Sequence, residues 1–196
     1  MALYPDARTA LCFSTPLELL VATILSAQST DVGVNKVTKI LFARYKTAYD
    51  YAHASVTEVE SIIKPTGFYH NKAKNIIGAA RVLLESFQGQ VPQSMTEILT
   101  LPGVARKTGN VVLYNAYGVI EGIAVDTHVM RLSQRLGFTA ERNPVKIEQD
   151  LMKQLSKNRW GLFSHLLIYH GRSVCVARKP KCDDCVLKDI CPIGQS

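Results

Sequence analysis

The sequence predicts an all-α protein, and three observations carry that prediction. Helix-start signals of the Ser/Thr-x-x-Glu kind recur along the chain, apolar residues follow them at spacings of three and four, and no stretch alternates as a half-buried strand would. Pro and Gly punctuate the intervals, so the connections read as short turns. Four of the five cysteines crowd the C-terminal end, which points to one helical body plus a cysteine-bearing lobe rather than a spread disulfide framework.

The elements follow in order. Thr15 is placed as an N-cap, Pro16 takes the first helical position and Glu18 closes a capping box; Leu17, Leu20, Val21 and Ile24 then recur at helical spacing. Ser55 and Glu58 stand in the same relation at the head of a helix that Pro65 and Gly67 stop. From Asn71 onward, Ala73, Ile76, Ile77, Ala80, Leu83, Leu84 and Phe87 share a face, and Gly89 is placed to end that helix. Ser94 and Glu97 cap a short helix reaching Leu101. The next helix runs to about Tyr117, where Gly118 stops it. Asp126 and Thr127 start another that Gly137 ends, Asn143 and Pro144 start one more, and an apolar, histidine-bearing helix leads into "YHGR".

A formal charge of +7 and a pI of about 9.2 favour a polyanionic partner without requiring one. No apolar run is long enough to span a bilayer, and "MALYPDARTALCFS" lacks a basic head followed by an apolar core. A cytoplasmic protein is therefore expected. Cys12, far from the other cysteines, reads as a small buried apolar residue.

The stretch "LPGVARKTGN", Leu101 to Asn110, places a Pro-Gly turn between two helices. Such a turn is either an ordinary αα-hairpin or a phosphate grip, in which Gly103 lets the backbone approach and the following helix offers unsatisfied N–H groups. Lys107 falls in the first turn of that second helix. The helix dipole there opposes a positive charge, and the neutral amine is the form that attacks as a nucleophile. On its own, such a lysine reads first as a solvated charge. Asp126, between the apolar run Ile123–Val125 and a helix, is placed to cap; a carboxylate there can also offset a developing cation.

Cys175, Cys182, Cys185 and Cys191 are separated by six, two and five residues. Four thiolates in so short a loop suit either a zinc ion or an iron–sulfur cluster, and the spacing leaves that choice open. Arg178, Lys179 and Lys181 lie between the first two ligands, where they read either as a pinned phosphate-facing surface or as solvated charges beside an acidic centre.

The segments "LPGVARKTGNVVL" and "IAVDTHVMR", with "LSAQSTDVGVNK" and "HGRSVCVARKPKCDDC", resemble the endonuclease III family of DNA glycosylases over nearly the whole chain. The resemblance implies a six-helix barrel with a helix-hairpin-helix over 9–119. It also implies an iron–sulfur cluster domain from 1–8 and 120–196, with the DNA cleft between the two. Lys107 is then the nucleophile at the sugar C1′, Asp126 assists it, and the four cysteines hold a [4Fe–4S] cluster that lowers the net charge to about +5. Gly103, Val104 and Ala105 hold a DNA phosphate, Gln28 fills the gap left by a flipped nucleotide, and Phe68 stands at the position of a wedge on the other strand.

Three departures accompany the resemblance. The family commonly has leucine where Phe68 stands, so this ring either intercalates or folds back onto Tyr69 or His70. Ala105 replaces a frequent second hairpin glycine, which is harmless if that position is already helical. The N-terminus is shorter than is usual. His128 and His170 read as core or cleft-shaping residues.

The implied function is a monomeric, nucleoid-associated glycosylase and β-lyase that removes oxidised pyrimidines such as thymine glycol from duplex DNA. Its alternatives are a related glycosylase with another base preference and a catalytically weak iron–sulfur protein that binds lesions.

Overall fold

The computed structural model describes residues 3–194, so Met1, Ala2, Gln195 and Ser196, at the ends of the expected cluster domain, lie outside the described residues. Every regular element among those residues is an α-helix or a 3-10 helix, as the sequence predicts. The chain divides into two units, Ala10–Glu121 and Met1–Thr9 with Gly122–Ser196.

The first unit holds α1 (Pro16–Leu25), α2 (Asp31–Arg44), α3 (Ala48–Ala52), α4 (Val56–Ile63), α5 (Tyr69–Phe87), α6 (Met95–Ile98) and α7 (Arg106–Tyr117). Thr15 caps α1 by accepting the Glu18 amide at 3.2 Å. Glu18 accepts from the amide of Ser14 at 2.6 Å, one residue further back than a capping box requires. Leu19 to Leu25 are all buried, so α1 is a core helix rather than one with a single apolar face, and it packs on α2, α5 and α7.

Ser55 does not cap α4 through its side chain. Its hydroxyl turns to Thr57 at 2.9 Å, while Glu58 is drawn away to Arg44 and the Tyr45 hydroxyl. Two helices lack a strong sequence signature. In α2 the buried stripe is only Val34, Val37, Thr38 and Leu41, and α3 is five residues long, although Thr47 and Asp50 form a full reciprocal capping box there. Helix α5 begins at Tyr69 rather than Asn71 because the Phe68 carbonyl already accepts the Lys72 amide at 3.1 Å.

The second unit holds α8 (Thr127–Arg135), α9 (Pro144–Gln154) and α10 (Trp160–Ser173), followed by the cysteine loops with their short 3-10 turns. Its core is Ile123, Val125, Val129, Leu132, Ile147, Leu151 and Leu167. Each such side chain contributes roughly 1.5–3 kcal/mol by leaving water. Buried Glu148 accepts the Ile123 amide at 3.1 Å, so the segment leading into α8 is fixed from α9. No helix among the described residues is long and apolar enough to cross a membrane.

Candidate functional site

In the first unit the Pro-Gly turn joins α6 to α7. Gly103 has φ +78, and a Cβ there would lie 2.7 Å from the Asn75 Cβ, so both backbone and neighbour demand glycine. Gly109 lets α7 approach α6, since a Cβ there would meet Met95 Sδ at 2.8 Å. Val104 buries its side chain and donates its amide to the Leu101 carbonyl at 3.1 Å. Ala105 is the N-cap of α7 and is not yet helical (φ −94, ψ 169); its negative φ accommodates the Cβ, which removes the need for a second glycine. No side chain caps α7. Lys107 is therefore presented, exposed, on an uncapped first turn, and no carboxylate among the described residues pairs with it.

Two further segments of this unit carry residues in left-handed backbone. Gln28, in the turn after α1, has φ 54, and Phe68, before α5, has φ 49. Neither is glycine, so each is held there by its surroundings. Both side chains are exposed, Phe68 by 63%. Phe68 does not fold back: Tyr69 and His70 stack on each other instead, with centroids 4.1 Å apart. Between these segments lies Lys72, which sequence reasoning missed. Its Nζ donates to Ser29 Oγ at 2.9 Å and to the Thr66 carbonyl at 2.8 Å, and burial pushes its pKa down. Its position four residues before Ile76, on the buried face of α5, is the signal that could have found it.

In the second unit Asp126 caps α8. Its Oδ1 accepts the amides of His128 and Val129, both at 2.8 Å. A single oxygen thus does the capping, and Oδ2 keeps its lone pairs for another proton or cation. Burial pushes the His128 pKa down, Asp126 opposes that shift, and Arg131 and Arg172 reinforce it.

The four cysteines of this unit line one cavity together with Arg135, His170 and Lys181. Arg135 Nη1 donates to Cys175 Sγ at 3.3 Å, and the Leu187 amide donates to Cys185 Sγ at 3.4 Å. Donors aimed at sulfur suit thiolate ligands. Sulfurs on one zinc ion at ~2.3 Å would converge tightly. Thiols ranged around one shared cavity suit a four-thiolate centre of either kind. Arg135 also donates to the Val176 and Ala177 carbonyls, and the Lys181 amide closes the loop onto Val174 O at 3.1 Å. Arg178, Lys179 and Lys181 are exposed on that loop without a carboxylate partner among the described residues. Arg131 donates to the Gly171 and Cys175 carbonyls, both at 3.0 Å, and the sequence signalled neither Arg131 nor Arg135 as loop supports. Cys12, expected to be buried, is exposed, and its amide donates to Asn35 Oδ1 at 2.9 Å.

Residues 21–157 match the HhH-GPD superfamily of base excision DNA repair proteins, and residues 175–191 match the iron-sulfur binding domain of endonuclease III. The chain is 57% identical to endonuclease III of Synechocystis sp. (strain ATCC 27184 / PCC 6803 / Kazusa), covering 99% of this chain and 89% of that protein. It is 45% identical to endonuclease III of Bacillus subtilis (strain 168), covering 98% and 88%. A solved structure of a trapped endonuclease III–DNA covalent intermediate, an estranged-adenine complex, matches with a TM-score of 0.94 at 44% identity, covering 99% of this chain and 91% of that one. The chain accordingly carries a [4Fe–4S] cluster, and the matched iron-sulfur segment spans Cys175, Cys182, Cys185 and Cys191. With DNA as its partner, the chain belongs to the endonuclease III family of base-excision-repair DNA glycosylases.

Proposed function

We propose that this glycosylase is bifunctional, excising oxidised pyrimidines such as thymine glycol from duplex DNA and then cleaving the strand as a β-lyase. The observation that carries the reading is Lys107, exposed and without a carboxylate partner on the uncapped first turn of α7, directly after the Gly103 turn. The likeness to a trapped endonuclease III–DNA covalent intermediate supports it.

The turn from Gly103 to Ala105 grips a phosphate of the damaged strand, which brings the sugar of the flipped nucleotide to Lys107. The neutral Nζ attacks C1′, and the C1′–N bond breaks with its electron pair leaving on the base, which takes up a proton. Opening of the sugar ring gives an imine between Lys107 and C1′. Loss of a C2′ proton then expels the 3′ phosphate, and water hydrolyses the imine to free the amine. Asp126, through the oxygen that does not cap α8, offsets the positive charge that develops at C1′ and moves protons.

Gln28 occupies the gap in the duplex and Phe68 wedges beside the orphan base, its aromatic face stacking where leucine would only fill. Cys175, Cys182, Cys185 and Cys191 hold the cluster, whose contribution is to pin the loop carrying Arg178, Lys179 and Lys181 against the DNA backbone.

The test is strand cleavage of one duplex carrying thymine glycol and another carrying an abasic site, with wild type and Lys107→Ala. Lysine-dependent cleavage of both is expected. Cleavage of the abasic duplex alone would overturn the base assignment and keep the lyase.

A further inference from the structure

Gln28 and Phe68 lie forty residues apart in sequence, yet both segments end on the same buried amine. Ser29 follows Gln28 directly, and Thr66 lies two residues before Phe68. The Ser29 hydroxyl donates to the Thr66 carbonyl, and Lys72 Nζ donates to both oxygens, at 2.9 and 2.8 Å. The three groups form a closed triangle that joins the turn after α1 to the turn before α5. Lys72 is only 3% exposed.

A buried lysine with no ion pair among the described residues is an expensive way to hold a core together. An apolar side chain at this position would pack as well in α5 and would avoid desolvating an amine. What it could not do is bond two chain segments at once. The two non-glycine residues that flank the triangle are both left-handed, with φ 54 and 49, and such conformations persist only where the surroundings over-determine them.

We propose that Lys72 is a positioning residue that locks the Gln28 and Phe68 segments to each other, so that gap filling and wedging act as one device on the duplex. The inference rests on the reading that Gln28 and Phe68 enter the DNA. Lys72 touches neither substrate nor reacting atoms; it acts through the two segments it joins. Removing its donors leaves the Thr66 carbonyl and Ser29 hydroxyl to each other alone and frees each segment to leave its left-handed state.

The test uses the full chain with its cluster and measures borohydride trapping rates on an abasic site in duplex and in single-stranded DNA. A single strand has no orphan base and no gap, so the duplex-to-single-strand ratio isolates the device from general damage to the fold. Lys72→Met is expected to lower that ratio by about tenfold, a part of the roughly hundredfold that misplacement by an ångström can cost. Ser29→Ala, a mild change that opens the same triangle, is expected to lower it by about threefold, and it decides the matter if Lys72→Met does not fold.

Gln28→Ala and Phe68→Ala are run in parallel. If they lower the ratio while Lys72→Met and Ser29→Ala leave it at the wild-type value, the proposal is overturned and the gap-filling reading stands. If neither Gln28→Ala nor Phe68→Ala lowers it, the reading itself fails and takes the proposal with it. A Lys72→Met defect of equal size on both substrates also overturns the proposal, because it marks a role in general stability.

Discussion

Arg135, in the last turn of the helix that Asp126 caps, donates to Cys175 Sγ at 3.3 Å and to the carbonyls of Val176 and Ala177 at 2.8 and 2.9 Å. One guanidinium therefore holds both a cysteine of the iron–sulfur segment and the first residues of the basic loop. Charge-assisted bonds of this kind contribute ~1.5–3 kcal/mol. Arg135→Leu is expected to lower the melting temperature by roughly 4–8 °C, and to speed loss of cluster absorbance in air. A melting temperature and cluster lifetime equal to wild type would show that the loop is held by the cysteines alone.

Asp126 allows capping and chemistry to be separated. Asparagine is as good an N-cap as aspartate but carries no charge. Asp126→Asn should retain wild-type stability and lose most of the base-release rate, whereas Asp126→Ala should also lose about 1 kcal/mol of stability. Wild-type turnover in Asp126→Asn would confine this residue to capping.

The loop cations make a prediction about salt. Each phosphate neutralised on a duplex contributes about 0.9 to the slope of log K against log salt. Replacing Arg178, Lys179 and Lys181 with glutamine should reduce that slope by roughly 2–3 and weaken binding to damaged and undamaged duplexes alike. An unchanged slope would place these side chains away from the DNA.

His128 and His165 both have pKa values pushed below 6.5, chiefly by burial. Between the folded and unfolded values the unfolded chain binds more protons, so stability rises with pH there. The second unit should hold its full stability above about pH 6.5 and lose it as the pH falls through the lowered folded-state values. Thermal unfolding from about pH 7.5 to about pH 5.5 checks this, and His165→Gln should flatten the profile. A flat wild-type profile would contradict it.

What the sequence made legible was chemistry carried by contiguous residues. Lys107 after a Pro-Gly turn, Asp126 before a helix and four cysteines in one loop are all neighbours in sequence, so their local geometry follows from turn and cap rules. The structure places Asp126 and Gly103 as those rules predict. Features set by distant partners were not legible. Glu58 closes no box at Ser55 because Arg44 and Tyr45 engage it, and Cys12 is exposed because of where its segment runs rather than its residue type. Lys72 reads as a surface charge until Ser29 and Thr66 are brought to it from either side. Helix α2 hides for a related reason: its buried stripe is narrow, and one of its four members is the polar Thr38.

The central claim is that Lys107 forms the covalent bond to DNA. The most direct measurement is borohydride reduction of the protein with a thymine glycol duplex, followed by peptide mass mapping of the cross-link. The account predicts a sugar adduct on Lys107 of α7 and no adduct in Lys107→Ala. An adduct on another amine, or none from wild-type protein that binds the duplex with its cluster loaded, would contradict it.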